Sequence, residues 1–190
     1  MKYNYRHNLV IGFHGCSKQT LDSLLEKPTL VKQSEKKYDW LGSGFYVWEN
    51  NYQRALEWAK KSRSIKDPAV VGVVFTLGDC LDLTDKSSLD KLKQGHKRMA
   101  EDFDLADIEL PTNKNSKTDT EKDLLLRELD CAVINFYYRE MEKVDTVRGI
   151  FFEGGDLYPG AGIKSKTHTQ IAIRNNDCIL GFFKPKSTLV

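Results

Sequence analysis

Residues 9–15, with the sequence LVIGFHG, form the stretch of the chain that decides the fold. A short apolar run of this kind is typical of a buried strand. The run ends in His14-Gly15, so we expect the polar end of the strand to face a cleft. Ser17 is a suitable N-cap for a following helix, which Pro28 is expected to stop. The local order is therefore strand, turn, helix.

A second segment, residues 40–48 (WLGSGFYVW), combines two glycines with a run of aromatic residues. Gly42 and Gly44 permit an irregular backbone ahead of residues with high β-propensity. We therefore predict a strand that ends near Trp48. A helix is expected to follow it, with Asn50 or Asn51 as the N-cap.

The remaining elements place helices between two groups of strands. Residues 69–77 form a continuous β-branched run that predicts a central strand, which residues 81–83 are expected to extend after a kink. Residues 88–103 and 122–139 have helical spacing and flank a polar loop at 111–122. Further strands are predicted at 148–153, 169–174 and 178–183. Strands at both ends favour an α+β fold, with a mixed sheet built from the two ends of the sequence, over a doubly wound sheet.

Length and composition bound the class of protein. A chain of 190 residues with 40% hydrophobic and 29% charged residues is typical of one globular domain. We predict a single domain over residues 1–190, with a helical insertion at about 85–144. The net charge of +2 does not indicate a nucleic-acid-binding protein.

Targeting and metal-binding signals are also missing from the sequence. No apolar stretch approaches the roughly 18–20 residues that a membrane span needs, and residues 1–8 lack the apolar core of a signal peptide. The cysteines Cys16, Cys80, Cys131 and Cys178 are scattered without a CxxC pair, which favours free thiols over a zinc site or disulfides. We therefore expect a cytoplasmic protein with no metal and no membrane partner.

Several familiar catalytic motifs are excluded. The sequence contains no P-loop, no GxSxG, no HExxH and no EF-hand loop. The Gly42-Ser43-Gly44 segment lacks the third glycine of a dinucleotide-binding fingerprint and precedes a strand instead of opening a helix. A His14/Cys16 nucleophile pair is disfavoured because its members lie two residues apart with no third orienting group.

What remains is a constellation of three parts: the strand end at residues 12–15, the segment at 42–46, and a helix carrying Ala55, Trp58 and Ala59. In residue types, spacing and order it resembles the NAD-dependent ADP-ribosyltransferases of the diphtheria-toxin and poly(ADP-ribose) polymerase type, whose site combines His, Tyr and Glu. The resemblance implies a mixed, mainly antiparallel β core split into two small sheets with flanking helices. It covers both ends of the chain but not the helical middle.

The resemblance implies that NAD is the co-substrate and that particular residues hold it. His14 would bind ribose, Gly15 would hold the carboxamide through its backbone, and Tyr46 would stack on nicotinamide. Gly44 and Trp58 are further candidates for the NAD pocket. An aromatic face and a residue without a Cβ suit such a ligand. Ordinary explanations stay open: His14 as a core histidine, Tyr46 as a strand aromatic, and Trp58 as a core residue of its helix.

The position that corresponds to the family's catalytic Glu departs from the pattern. The matching strand lies within residues 167–175 and carries Gln170, so the predicted catalytic set is His14, Tyr46 and Gln170. An amide can orient a ribose hydroxyl, but it has no charge and cannot accept a proton. An acceptor that is already nucleophilic, such as a carboxylate or a phosphate, would remove the need for a base.

Another carboxylate is an alternative source of the missing charge. Glu153 is the leading candidate as a further catalytic residue, with Asp156 and Glu49 behind it. The ordinary explanation for Glu153 is a solvated carboxylate at a strand end.

The expected function is therefore mono-ADP-ribosylation, in which the nicotinamide–ribose bond is cleaved and ADP-ribose passes to a macromolecule, protein or nucleic acid. Two alternatives stay open: a non-catalytic module that binds NAD or ADP-ribose, and an NAD glycohydrolase. Similar compact transferases are often toxins or phage-defence factors, which adds an inhibitor or antitoxin as a possible partner. The resemblance also implies that the glycine-rich loop at 158–162 helps to choose the acceptor.

Overall fold

The computed structural model describes residues 9–117 and 119–186. Residues 1–8, on which part of the expectation about targeting rests, lie outside the described residues. The described elements, in chain order, are β1 (Leu9–Ser17), α1 (Lys18–Glu26), β2 (Phe45–Glu49), α2 (Tyr52–Lys61), β3 (Pro68–Thr76), β4 (Cys80–Asp82), α3 (Lys86–Leu105), β5 (Asn113–Lys114), β6 (Leu126–Arg127), α4 (Glu128–Glu140), β7 (Thr146–Phe151), β8 (His168–Ile173) and β9 (Ile179–Phe183). Short 3₁₀ turns occupy Pro28–Leu30 and Asn176–Cys178.

The strands form a seven-stranded sheet in the order β4-β7-β8-β2-β1-β3-β9, and β5 and β6 form a separate two-stranded ribbon. Every neighbouring pair in the large sheet is antiparallel except β4 and β7, which are parallel. The predicted α+β class with a mixed, mainly antiparallel core is therefore confirmed.

The sheet narrows between β1 and β2. β1 pairs with β3 along its whole length, from Leu9 opposite Thr76 to Ser17 opposite Pro68. In contrast, β1 and β2 are paired only through Gly12 with Glu49 and Phe13 with Trp48. We call this narrow junction the seam. It divides the sheet into a half made of β4, β7, β8 and β2 and a half made of β1, β3 and β9, while all seven strands remain in one continuous sheet.

The first two helices begin where the sequence predicts. The Ser17 hydroxyl accepts a hydrogen bond from the backbone N–H of Thr20 at 3.1 Å and caps α1. The Asn51 side chain caps α2 by accepting the N–H of Arg54 at 3.0 Å. Each cap satisfies one of the N–H groups that the first turn of a helix leaves without a partner. The two caps therefore account for where both helices begin.

Two of the predictions for the middle of the chain are wrong. The helix predicted from residue 122 begins at Glu128, because Lys122 and Leu124 adopt positive φ angles of 59° and 53°. The carboxylate of Asp119 holds this non-helical turn by accepting the N–H groups of Asp123 and Leu125 at 3.0 and 3.4 Å. The other predicted helix, at 88–103, lies within α3.

The second error concerns residues 81–83, which do not extend β3. Gly78, with a φ of +58°, turns the chain away, and the Asp145 carboxylate accepts the N–H of Asp79 at 2.8 Å. The chain then crosses to the opposite edge of the sheet, where β4 pairs with β7. The left-handed φ at Gly78 is a conformation that glycine adopts without a steric penalty.

Apolar clusters cover both faces of the sheet. One cluster packs the α1 residues Leu21 and Leu24 against strand residues that include Val47 and Phe75. A second packs α4 residues, among them Ile134, against β7 and β8. None of the helices described within residues 9–117 and 119–186 is both long and apolar enough to cross a membrane.

A substitution at Gly15 tests how closely α2 packs on β1. A Cβ at this position would lie 2.3 Å from the backbone oxygen of Ala55, so the strand or the helix would have to shift. We expect Gly15→Ala to lower the free energy of unfolding by about 2–3 kcal/mol, as overpacking does. Urea denaturation measures the change. The matched control is Gly181→Ala on β9, where an added Cβ meets nothing within 4 Å. Equal effects of the two substitutions would contradict this account.

Candidate functional site

A cavity of about 460 Å³ lies at the seam between β1 and β2. Its volume falls within the range of about 300–1,000 Å³ that is usual for small-molecule sites. Six of the residues predicted from the sequence line it, namely His14, Gly44, Tyr46, Trp58, Glu153 and Gln170. We call it the seam cavity.

The divergence of the strands explains how these residues meet. Successive side chains of a strand point to opposite faces, and Phe13 pairs with Trp48. His14 therefore belongs to the sheet face of Phe45, whereas Tyr46 belongs to the opposite face. In a continuous sheet the two side chains would point away from each other. Beyond the seam the strands separate, and both side chains line the same cavity.

His14 bridges the separated strands. Its Nδ1 lies 2.7 Å from the backbone carbonyl oxygen of Tyr46, and its ring centroid lies 4.4 Å from that of Phe45. Because a carbonyl only accepts, Nδ1 carries the proton and Nε2 keeps a free lone pair. Burial lowers the pKa of His14 below its ordinary value, although the bond to Tyr46 opposes this shift. The residue is therefore a neutral imidazole that can accept a hydrogen bond through Nε2.

Tyr46 contributes an aromatic wall. Its hydroxyl donates to the carbonyl of Gly42 at 2.7 Å and accepts the N–H of Leu41 at 2.8 Å. Burial raises the pKa of Tyr46 well above its ordinary value. The hydroxyl is therefore engaged by the preceding loop and stays protonated, so the ring, and not the proton, is what this residue offers to a ligand.

Gln170 occupies the middle of the sheet on β8, opposite Trp48 on one side and Gly149 on the other. It is half-buried, and its side-chain amide makes no hydrogen bond to any residue within 9–117 and 119–186. The amide is thus available to orient a polar group in the seam cavity.

Glu153 is one of two carboxylates that line the seam cavity; the other, Asp39, accepts the backbone N–H of Lys36 at 2.9 Å. Glu153 accepts a hydrogen bond from Arg54 at 2.8 Å, lies 3.8 Å from the Lys166 ammonium, and has a side chain only 15% exposed. It is therefore an anchored carboxylate and not a solvated one. The other two candidates are paired outside the cavity, Asp156 with Lys164 and Glu49 with Arg148, each at 2.8 Å.

Gly15 has other surroundings than the sequence suggests, whereas Trp58 lines the cavity. Gly15 does not line the seam cavity, and its lack of a Cβ is explained by the Ala55 oxygen of α2. Trp58 is 42% exposed and packs its ring 5.8 Å from that of Trp48. Trp58 is therefore a rim residue of the cavity instead of a core residue of its helix.

Sequence reasoning missed Arg54 and the role of Trp48 in the site. Both line the seam cavity, and the buried Trp48 Nε1 and Arg54 Nε have no hydrogen-bond partner in the described part of the chain. Unpaired buried N–H groups are unfavourable unless a ligand or water accepts from them. One feature of the sequence could have identified Arg54 as a cavity residue. It precedes Trp58 by four residues, so the two side chains share one face of the helix.

No group of three or more His, Cys, Asp or Glu side chains that could hold a metal ion occurs among residues 9–117 and 119–186. No protein-family model matches the chain, and no curated protein is significantly similar to it in sequence. The functional interpretation therefore rests on the geometry of the seam cavity and on the motif resemblance.

The half-buried His14 and the buried His168 together predict how the free energy of unfolding depends on pH. Burial lowers the pKa of His14 and of His168 in the folded protein, whereas the ordinary value is 6.5. The unfolded chain therefore binds more protons as the pH falls through that value, and we expect the free energy of unfolding to decrease between about pH 7 and pH 5. His14→Asn keeps an N–H donor toward the Tyr46 carbonyl but cannot be protonated. Urea denaturation across this range should show a shallower slope for the variant, and an unchanged slope would contradict the assignment.

Proposed function

We propose that this protein is an NAD-dependent mono-ADP-ribosyltransferase, a pentosyltransferase that cleaves the nicotinamide–ribose bond and passes ADP-ribose to a macromolecular acceptor. The observation that carries the proposal is the meeting of His14, Tyr46 and Gln170 in one cavity of about 460 Å³. These residues come from three different strands, and the hydrogen bond from His14 to the Tyr46 carbonyl joins two of them. His14 and Tyr46 correspond to the first two members of the His-Tyr-Glu set of the resembled family, and Gln170 takes the place of the Glu.

Each group in the seam cavity has a role in holding NAD. The free Nε2 of His14 accepts a hydrogen bond from a ribose hydroxyl, and the amide of Gln170 orients a second one. Tyr46 and Trp58 offer aromatic faces to the nicotinamide ring. The proposed contact between the Gly15 backbone and the carboxamide remains a prediction, because Gly15 is not a lining residue.

The charges around the cavity suit a dinucleotide. Lys32 and Lys36 line it, and both residues are exposed. Arg54 adds a guanidinium that is already paired with Glu57 and Glu153; with Asp39 also in the lining, cations outnumber carboxylates by three to two. Cationic groups and N–H donors of this kind favour the diphosphate of NAD.

The reaction needs stabilisation of positive charge and no protein base. As the C1′–N bond breaks, its electron pair leaves with nicotinamide and the ribose becomes oxocarbenium-like. The anchored carboxylate of Glu153 supplies negative charge to the cavity, which the neutral Gln170 does not. An acceptor that arrives as a carboxylate or phosphate then attacks C1′ without losing a proton. This arrangement favours a single transfer over synthesis of a long polymer.

The cellular compartment, the acceptor and the partners of the protein are also proposals. The four cysteines are free, which is compatible with a reducing cytoplasm. Acceptors of either class, protein or nucleic acid, are consistent with this chemistry, and an inhibitor or antitoxin is a further partner if the protein acts as a toxin or in phage defence. The amide at position 170 favours one rival, a non-catalytic module that binds NAD or ADP-ribose.

Tyr46→Ala tests the proposed role of the aromatic wall. With NAD labelled in its adenylate half and a cell lysate, we expect the variant to lose at least about tenfold in nicotinamide release, because stacking on a base-like ring contributes about 1–3 kcal/mol. Free nicotinamide and macromolecular label are followed together. Tyr158→Ala, an exposed tyrosine outside the cavity, is the control for nicotinamide release.

The outcomes of that experiment separate the functions. Label that appears in macromolecules only with the parent protein supports transfer, and its loss on treatment with protease or nuclease names the acceptor class. Nicotinamide release without macromolecular label indicates a glycohydrolase instead. NAD binding with neither product contradicts the transferase and supports the binding module.

Glu153→Gln tests the source of negative charge. We expect nicotinamide release to fall about 10–100-fold, as when a preorganised electrostatic group is removed. Glu57→Gln is the matched control, because Glu57 pairs with the same Arg54 at 2.8 Å but does not line the cavity. Adding Gln170→Glu to the Glu153 variant should restore part of the rate. Equal rates for the Glu153 and Glu57 variants would rule out this role.

A further inference from the structure

A second cavity, of about 410 Å³, lies between α3, α4 and β7. It shares one wall with the seam cavity, the indole of Trp40, which lines both. The Trp40 Nε1–H donates to the Leu125 carbonyl at 3.0 Å and holds this wall in place. We call this second space the helical cavity, because α3 and α4 of the inserted region provide most of its lining.

The lining of the helical cavity is apolar with a basic edge. Three cationic or titratable nitrogen side chains border it, from Lys93, His96 and Arg127, against the single carboxylate of Asp130. The apolar part consists mainly of Leu83, Leu89, Leu92, Leu129, Val133 and Ile134. A ligand that matches this pattern has a hydrocarbon body and an anionic end.

Arg127 is the residue best placed to bind the anionic end of such a ligand. Its guanidinium lies 4.2 Å from the Trp40 ring centroid and 5.0 Å from that of Phe151, and its contact with Asp130 is a long one of 3.8 Å. The buried Nε–H has no hydrogen-bond partner within residues 9–117 and 119–186. The guanidinium lies over two rings that contact each other, and its Nη2 donates to the Asp123 carbonyl at 3.2 Å, so it is held in a fixed position from which Nη1 can donate to a carboxylate.

We propose that the helical cavity binds an aliphatic carboxylate. The hydrocarbon tail lies among the leucines, where its burial is favoured by the hydrophobic effect, and the carboxylate accepts from Arg127 with Lys93 at the entrance. This site does not depend on the activity proposed for the seam cavity. It gives a binding role to the helical middle of the chain, for which the motif resemblance implies nothing.

Decanoate is the probe, and decanol, with the same tail and no charge, is its control. Titration calorimetry without NAD should show one decanoate site per chain and at least about tenfold weaker binding of decanol, because hydrogen bonds to charged groups are the stronger ones. Tryptophan fluorescence should change with decanoate, and Trp40→Phe should remove most of that change.

Substitutions of Arg127 and Lys93 test the proposed contacts with the carboxylate of the ligand. Arg127→Gln should remove the preference for decanoate over decanol, with circular dichroism to check the fold. Lys93→Gln, at an exposed position, should weaken decanoate binding by about threefold, whereas Lys97→Gln, one turn further along α3 and outside the cavity, should leave it unchanged.

Equal affinities for decanoate and decanol, binding at several sites per chain, or equal effects of the Lys93 and Lys97 substitutions would each overturn the proposal. If the Arg127 variant does not fold, the lysine pair and the decanol comparison decide. Because NAD is absent, failure here leaves the proposed function untouched, and failure of the labelled-NAD experiment leaves this site untouched.

Discussion

The hydrogen bond from His14 Nδ1 to the Tyr46 carbonyl is the interaction on which the seam cavity depends. β1 and β2 pair at two positions, after which their backbones separate. The His14 ring spans the gap at 2.7 Å, where a regular sheet would use a backbone N–H. One contact therefore keeps the two halves of the sheet at a fixed separation, sets the tautomer of the histidine and leaves room between the strands for a ligand.

Local patterns in the sequence predicted most of the strands and helices around this hydrogen bond. The apolar run of β1, the caps Ser17 and Asn51, and the glycine-aromatic segment before β2 are all decided within a few residues. The start of α4 was missed because the turn that Asp119 holds by accepting the N–H of Asp123 leaves no mark in the apolar periodicity. The position of β4 was missed because it depends on Asp145, which lies far along the chain from Asp79. Gln170 could be placed by its strand motif, whereas Arg54 in the cavity and the Arg127–Trp40 contact depend on how separate elements pack.

The distribution of charge in the seam cavity reflects one constraint. A neutral amide occupies the middle of the sheet at position 170, and the carboxylates in the lining are Asp39 and Glu153, the latter just beyond β7, where Arg54 anchors it. A carboxylate held by an arginine is fixed in position but also partly neutralised. The cavity is thus better suited to bind and orient a polarised ligand than to remove a proton from one, which agrees with a reaction whose nucleophile is already ionised.

The order of strands also determines when the site comes into existence during synthesis. β8 lies between β7 and β2, so β2 has only its short pairing with β1 until residues 168–173 have left the ribosome. Because synthesis runs from the N-terminus, a growing chain carries His14 and Tyr46 long before it carries Gln170. Until β8 has been made, β2 therefore lacks its partner on that side and the seam cavity lacks Gln170.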